Sequence, residues 1–215
     1  MTLVKEVPRK RGRPVASSEK RREQILEAGA KVFLKKGFHA ARIEDIVAEA
    51  RLGKGTFYLY FTDKEDLFRA LVDQLFGEVK QTLLWVREGI SPKASVADLF
   101  RAETDRFFTT FTEYKDVAMV IIREGRSVSP AIEKKISEFY EEIIEQSRQT
   151  LEFAIGFGLL PKFDPRIAAI CIVGGIEKIY EQWLFGKIDG SQEAIVLEAS
   201  EFLQRGCGIK GKSRG

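Results

Sequence analysis

Apolar residues recur along this chain at helical spacing almost from end to end. Ile25, Leu26, Ala28, Val32 and Phe33 build one face of a helix predicted over 18–36, with Ser18 as its cap and Gly37 as its left-handed stop. Ile43, Ile46, Val47 and Ala50 fall at i, i+3, i+4 and i+7, a one-sided stripe on a second, short helix. Gly53 and Gly55 punctuate the turn that follows, and Phe57, Tyr60 and Phe61 give a third short segment an inward face. Thr62-Asp63-Lys64-Glu65 then reads as the capped start of a long helix carrying Leu67, Phe68, Leu71, Val72, Leu75, Phe76, Val79, Leu83 and Leu84, broken over 89–95 around Pro92.

The remainder keeps the same period. Val96, Phe100, Phe107 and Phe111 share a face, and a shorter helix is predicted over 117–124. A longer one follows Ser129-Pro130 with Ile132, Ile136, Phe139 and Ile143, and stops at Gly156, Gly158 and Pro161. Asp164-Pro165 supplies a cap and a first-turn proline for an apolar helix reaching Phe185. A last helix is predicted over 192–203. Within it all, 167–176 is apolar nearly all round, which predicts burial on both sides. The fold class is all-α.

The stretch from Arg42 to Lys64 is the informative one. A segment as short as its second helix is not stable alone, so its value lies in what its outer face touches. Lys54, Thr56 and Tyr58 are donors suited to phosphate oxygens and base edges. This is a helix-turn-helix arrangement, with the second helix placed for the major groove of DNA.

The run DIVAEARLGKGTFYLYFTDKEDLF closely resembles the DNA-binding signature of the tetracycline-repressor (TetR) family of bacterial regulators. The matching positions are Ile46, Ala48, Ala50, Lys54, Gly55, Phe57, Tyr58, Tyr60, Phe61, Lys64, Glu65 and Leu67, and the likeness covers roughly 20–68. It implies an N-terminal three-helix DNA-binding domain over 18–64 and a helical effector-binding and dimerisation domain over 65–205. It also implies that Lys64, Tyr58 and Tyr60 anchor phosphates, that Lys54 and Thr56 read bases, and that Gly55 belongs to the same surface. Two positions depart from the family pattern. Arg42 stands where the family has Thr, offering a longer, charged phosphate contact, and Arg51-Leu52-Gly53 stands where it has Gly-Val-Ser. A left-handed backbone at Arg51 would cost on the order of 1 kcal/mol relative to Gly.

Charge changes the picture next. Residues 1–64 hold 15 Lys/Arg against 8 Asp/Glu, a net +7, whereas 65–215 hold 20 against 24, a net −4. A basic first third on a mildly acidic body is an electrostatic footprint for nucleic acid. Residues 1–17 form a Pro/Gly-broken basic arm, expected to be disordered in isolation. Its Arg11-Gly12-Arg13-Pro14 core resembles an AT-hook, in which paired arginines enter a narrow minor groove; a tail giving loose phosphate attraction is the plain alternative. Residues 206–215 are expected to be a flexible tail.

For the body, the resemblance implies a largely apolar ligand cavity among Phe107, Phe111, Met119, Ile122, Phe139 and Ile143. An aromatic stripe at this spacing reads equally as solid core. Arg106, Arg123 and Arg126 could answer an anionic ligand group or simply face solvent. The resemblance further implies that the last two helices pair with their copies in a homodimer, through Ile170, Val173, Gly174 and Leu197; a buried core helix in a monomer is the alternative.

Other chemistry is missing from the sequence. There is no His-Glu-x-x-His or Cys-x-x-Cys spacing, so no metal site, cofactor or catalytic residue is expected. The single histidine, His39, has no partner in sequence reasoning and reads as structural. Gly53-Lys54-Gly55-Thr56 lacks the upstream glycine of a phosphate loop. With 44% apolar and 31% charged residues, no run long enough to span a bilayer and no signal-peptide core, the expectation is a cytoplasmic, non-enzymatic protein. The reading is a homodimeric regulator, a repressor released from a pseudo-palindromic double-stranded operator by a small hydrophobic effector that makes the long bridging helix splay the heads. A ligand-independent architectural DNA binder is the alternative.

Overall fold

Nine helices and no strand make up the described part of the chain, which in this computed structural model is residues 15–89 and 95–208, with side chains over 18–81 and 95–208. They are α1 (Val15–Lys36), α2 (Ile43–Glu49), α3 (Lys54–Phe57), α4 (Lys64–Gly89), α5 (Val96–Glu113), α6 (Lys115–Val128), α7 (Pro130–Gly156), α8 (Pro165–Leu184) and α9 (Gln192–Gly206). Helices α1 to α3 and the start of α4 form a head; α4 to α9 form a body.

Local chemistry accounts for most of the ends. Gly37 takes φ +81° and its N–H donates to the Phe33 carbonyl at 2.8 Å, closing α1 as expected. Asp63 accepts from the Asp66 N–H at 2.8 Å, while the Asp66 carboxylate accepts from the Thr62 N–H at 3.0 Å, so the start of α4 is capped from both sides. Ser129 caps α7 ahead of Pro130, and the Asp164 carboxylate accepts from the Arg166 and Ile167 N–H groups at 2.8 and 3.2 Å ahead of α8. Ser18 does not cap α1. The helix begins three residues earlier, at Val15, and the Ser18 hydroxyl donates instead to the Tyr60 phenol oxygen at 3.3 Å. Helix α6 also runs longer than its periodic core, because the Tyr114 carbonyl and the junction with α7 extend it at both ends.

The head is held by aromatic and aliphatic groups from every one of its helices. Ile25, Phe33, Ile46, Phe57, Leu67 and Phe68 are fully buried, and the Phe33 ring lies 5.4 Å from Phe38 and 5.8 Å from Phe68. Burial of each such side chain contributes about 1.5–3 kcal/mol, far more than the intrinsic preference of the four-residue α3. That helix therefore exists because Phe57 and Phe61 are anchored under it. Where α1 crosses α4, a Cβ on Gly29 would lie 2.6 Å from Leu67 Cδ2, so a larger residue there would require the Leu67 side chain to shift.

In the body, α7 packs on α8 and α6, and α5 on α4 and α9. Phe76 of α4 stacks on Phe139 of α7 with ring centroids 3.7 Å apart. Tyr180 of α8 is buried among Phe107, Phe108, Phe111 and Trp183. The buried groups fall into two clusters. One runs from the head into the near half of the body; the other, containing Phe100, Leu151, Leu160, Ala169, Ile172 and Leu203, lies at the far end. Helix α8 corrects the expectation of burial on both sides. Ala169, Ile172 and Tyr180 face the interior, but Ile167 and Ile170 are 62% and 47% exposed, and Cys171 and Gly174 beside them are exposed too. No helix among the described residues is long and apolar enough to cross a membrane.

Candidate nucleic-acid interface and body cavity

The turn between α2 and α3 sets the pose of the candidate reading surface. Arg51 adopts φ +53°, the one positive φ on a non-glycine residue among the described residues, so the left-handed strain expected there is present. Gly53 sits in extended conformation as the N-cap of α3 without a side chain to cap it. From that start Lys54, Gly55, Tyr58 and Leu59 are exposed, Tyr58 at 51% and Leu59 at 70%, while Thr56 and Tyr60 are half-buried. A Cβ added at Gly55 would meet nothing within 4 Å, and its φ is not unusual. No described residue of the chain requires glycine there, and glycine costs a helix roughly 0.5–1 kcal/mol against alanine. What it gives this surface is a backbone open to close approach from outside.

Electrostatics on this surface are simple. The Lys54 ammonium pairs with Glu44 of α2 at 2.5 Å, in the open. The hydrogen bond from Lys54 is the main cause holding the Glu44 carboxyl below its ordinary range, and the same bond raises Lys54. Lys54 thus stays a cation positioned at the rim of α3, and a phosphate can compete for it. Arg42 is the exposed N-cap of α2. Lacking an acceptor, its side chain cannot cap; Asp45 does so instead by accepting from the Arg42 N–H at 3.1 Å, leaving the guanidinium on the surface.

Lys64 is placed differently from the phosphate anchor expected of it. Its ammonium donates to the carbonyls of Phe38, His39 and Ala41 at 2.8, 3.0 and 3.2 Å and lies 4.6 Å from the Phe38 ring centroid. An ammonium has three hydrogens, and all are engaged. Lys64 here secures the α1–α2 turn. His39 is structural as expected, with Nε2 3.1 Å from the Ser127 carbonyl. Arg11 and Arg13 lie outside the described residues. Leu59, which the sequence reading passed over, is a large aliphatic group exposed on the head; its position directly after Tyr58 in the motif is the signal that could have found it.

Two cavities open in the body where the core clusters fail to meet. One, of about 90 Å³, is lined by Val79 of α4, Phe107 and Phe111 of α5, Phe139, Tyr140 and Ile143 of α7, and Ile172 and Val173 of α8. The other, of about 180 Å³, lies beyond it toward Phe100, Leu151 and Leu160. Glu103, Ser147 and Ile172 line both, so the two are neighbouring chambers with a shared wall between α5, α7 and α8. Four of the six expected pocket residues are there: Phe107, Phe111, Phe139 and Ile143. Met119 and Ile122 are not: Met119 is half-buried but lines neither chamber, and Ile122 packs against the main core. The two charged groups in the walls, Glu103 and Glu177, are both acidic, and the other polar groups are neutral. Tyr140 donates to Glu177 at 2.7 Å, and burial, then that carboxylate, push its phenol well above the usual range.

Of the expected interface residues, Ile170 and Gly174 lie on the open side of α8, with nothing within 4 Å of a Cβ at Gly174 or Gly175. Leu197 of α9 is half-buried. Val173 is corrected: it lines the first chamber, since one helical position turns it about 100° away from Gly174. Phe202, 74% exposed, flanks a groove with Ile167 and Cys171 between α8 and α9.

Comparison with known proteins agrees with this geometry. Residues 25–71 match the profile described as bacterial regulatory proteins, tetR family. Over 190 residues the chain is 25% identical to the fatty acid metabolism regulator protein of Bacillus subtilis (strain 168), spanning 88% of this chain and 95% of that one. The structure of the fatty acid degradation regulator FadR from Bacillus halodurans superposes with a TM-score of 0.73 at 22% identity, covering 90% of this chain and 96% of that one. FadR from Bacillus subtilis in complex with stearoyl-CoA superposes at 0.71 and 23% identity, covering 88% and 99%. The two superpositions establish the shared fold.

Proposed function

We propose that this chain, a transcriptional regulator belonging to the tetR family of bacterial regulatory proteins, acts as a homodimeric repressor released from its operator by a hydrophobic acyl compound. The observation that carries the DNA half is Gly55: an exposed glycine in α3 with empty space around it, between Lys54 and Thr56, on a helix anchored from beneath by Phe57. Lys54 and Thr56 then meet base edges, while Arg42, Tyr58 and Tyr60 meet the backbone. Two copies sit about 34–36 Å apart, or a multiple, on a two-fold symmetric site. The apolar strip Ile167, Ile170, Gly174 and Phe202 is the face by which the copies join.

The effector class rests on the two chambers and on a relative. The Bacillus subtilis regulator, whose solved complex holds stearoyl-CoA, shares this fold. Neighbouring apolar chambers between α5, α7 and α8 suit an extended acyl chain. Glu103 and Glu177 in its wall oppose entry of a free carboxylate, which favours an uncharged acyl group, such as a thioester, with its polar remainder outside. The resident volume is small, so the chain must part α5 and α7 on entry, and that movement is the switch.

Selection of bound fragments from a random DNA pool tests the reading, followed by titration of stearoyl-CoA against the selected complex. A two-fold symmetric consensus and release by stearoyl-CoA are expected. Sequence-neutral binding unaffected by the ligand would instead favour an architectural DNA binder, and a monomer by sedimentation at micromolar concentration would remove the dimer.

A further inference from the structure

Leu59 departs from the other aliphatic groups around the motif. Ile46 and Val47 are buried and Ile43 and Leu52 half-buried, whereas Leu59 stands 70% exposed. A single exposed leucine is ordinary on a protein surface; the neighbours of this one make it informative. Its N–H donates to the Thr56 carbonyl at 3.2 Å and the Tyr60 N–H to the Phe57 carbonyl at 2.9 Å, so the chain tightens into a 3₁₀ turn as α3 ends. Side chains three apart eclipse in such a turn, which sets Leu59 over Thr56. The buried rings of Phe57 and Phe61 fix the opposite side. Leu59 lies two positions from each, and two positions turn a helical side chain by about 200°.

Charge and hydrogen-bonding capacity select what meets this face. From Arg51 to Thr62 the chain carries Arg51 and Lys54 and no Asp or Glu. Both cations are exposed, and Glu44, the carboxylate that reaches over from α2, is taken up by Lys54. Such a surface suits a polyanion. Leucine, however, neither donates nor accepts a hydrogen bond, so it adds nothing to a phosphate contact or to the polar edge of a base. The apolar group in the major-groove code of DNA is the thymine 5-methyl.

We propose that Leu59 is a specificity-determining residue of the head, packing its isobutyl group on a thymine methyl in the major groove beside the base that Thr56 meets. This rests on the DNA-binding reading above and adds a carbon contact to the polar ones made by Lys54 and Thr56. Taking one methyl out of a buried apolar contact weakens an equilibrium about fourfold. A two-fold symmetric site offers the contact twice, so the pair is worth about tenfold or more.

The test uses the full chain and the operator recovered from the random pool. Each consensus thymine, with its two-fold mate, is replaced by deoxyuridine, which deletes the 5-methyl and keeps every hydrogen-bonding group. By fluorescence anisotropy the wild type should lose about tenfold in affinity at one symmetric pair. Leu59→Ala should keep the wild-type urea midpoint and bind the unmodified operator about tenfold more weakly. At that same pair it should show less than about a twofold difference between thymine and deoxyuridine, while every other thymine gives the wild-type ratio; this coupling separates a contact from a change in duplex shape. Three results overturn the inference and leave the DNA-binding reading standing: a consensus with no thymine shared by both half-sites, equal thymine-to-deoxyuridine ratios in wild type and Leu59→Ala at every position, or wild-type operator affinity in Leu59→Ala. Loss in Leu59→Ala of cooperative binding between adjacent dimers, without a thymine-specific change, would assign Leu59 to a protein contact and overturn it as well. A wild type that retains no DNA from the pool brings down the DNA-binding reading itself, and this inference with it.

Discussion

The head and the body are built from the same kind of helix yet packed in opposite ways. Around Phe33, Phe57 and Phe68 the head is solid, and its exposed groups, Lys54, Gly55, Tyr58 and Leu59, stand on a surface that none of the described residues covers. Around Phe107, Phe139 and Ile172 the body leaves two neighbouring chambers between its helices. A close-packed unit holds a reading surface in one pose, whereas a unit with internal space has alternative packings within reach. Under the proposed function, this difference in packing gives the reading to the head and the response to the body.

Truncating a side chain in each region sharpens this contrast most. Phe57→Ala should destabilise the head by about 3–5 kcal/mol and abolish operator binding, although Phe57 touches no DNA. Phe107→Ala, beside existing space, should cost visibly less in the same urea titration; equal losses would mean that the chambers close in solution. Gly55→Ala comes next. Stability should hold or rise by about 0.5–1 kcal/mol, while operator affinity falls at least tenfold. Retained affinity would mean that no partner approaches α3 closely. Arg51→Gly should then stabilise the head by roughly 0.5–1 kcal/mol, the relief of left-handed strain partly offset by the freedom glycine adds to the unfolded chain. A neutral or negative shift in melting temperature would show that the Arg51 side chain supplies something its backbone does not.

The smallest effect separates the regions by pH. Burial and the Glu177 carboxylate raise Tyr140 in the body above the ordinary phenol value of about 10. The folded state therefore holds that proton more tightly than the unfolded chain. The stability it contributes is complete below about pH 10 and is lost as pH rises beyond it. Tyr140→Phe should flatten part of the alkaline decline, with the remainder shared by Tyr180 and Tyr114, which burial also raises. An unchanged alkaline limb would place Tyr140 outside the titrating set.

Much of this was legible in the residue order because capping and periodicity are local. Asp164-Pro165, Ser129-Pro130 and Gly37 each act within a few residues of themselves, and the helices they bound lie within a few residues of where periodicity put them. Arg51 was legible as a strained position because its neighbours in the motif require a particular turn. Lys64, Met119, Ile122 and Val173 were not. Periodicity tells which side of a helix is apolar or charged but not which other helix it meets, and a lysine on an exposed-looking turn gives no sign that three carbonyls from 23 to 26 residues away converge on it.

What the sequence determined by itself is the all-helical class, the motif on α2 and α3, and the uneven charge between head and body, because each depends on residues close together in the chain or on simple totals. Only the tertiary structure decided that Lys64 gathers three carbonyls of the α1–α2 turn, that α8 keeps an open apolar face, and that two small apolar cavities lie between α5, α7 and α8. Those arrangements depend on how helices far apart in sequence meet, and that depends on the packing of side chains of particular shape, which no single stretch of the chain encodes.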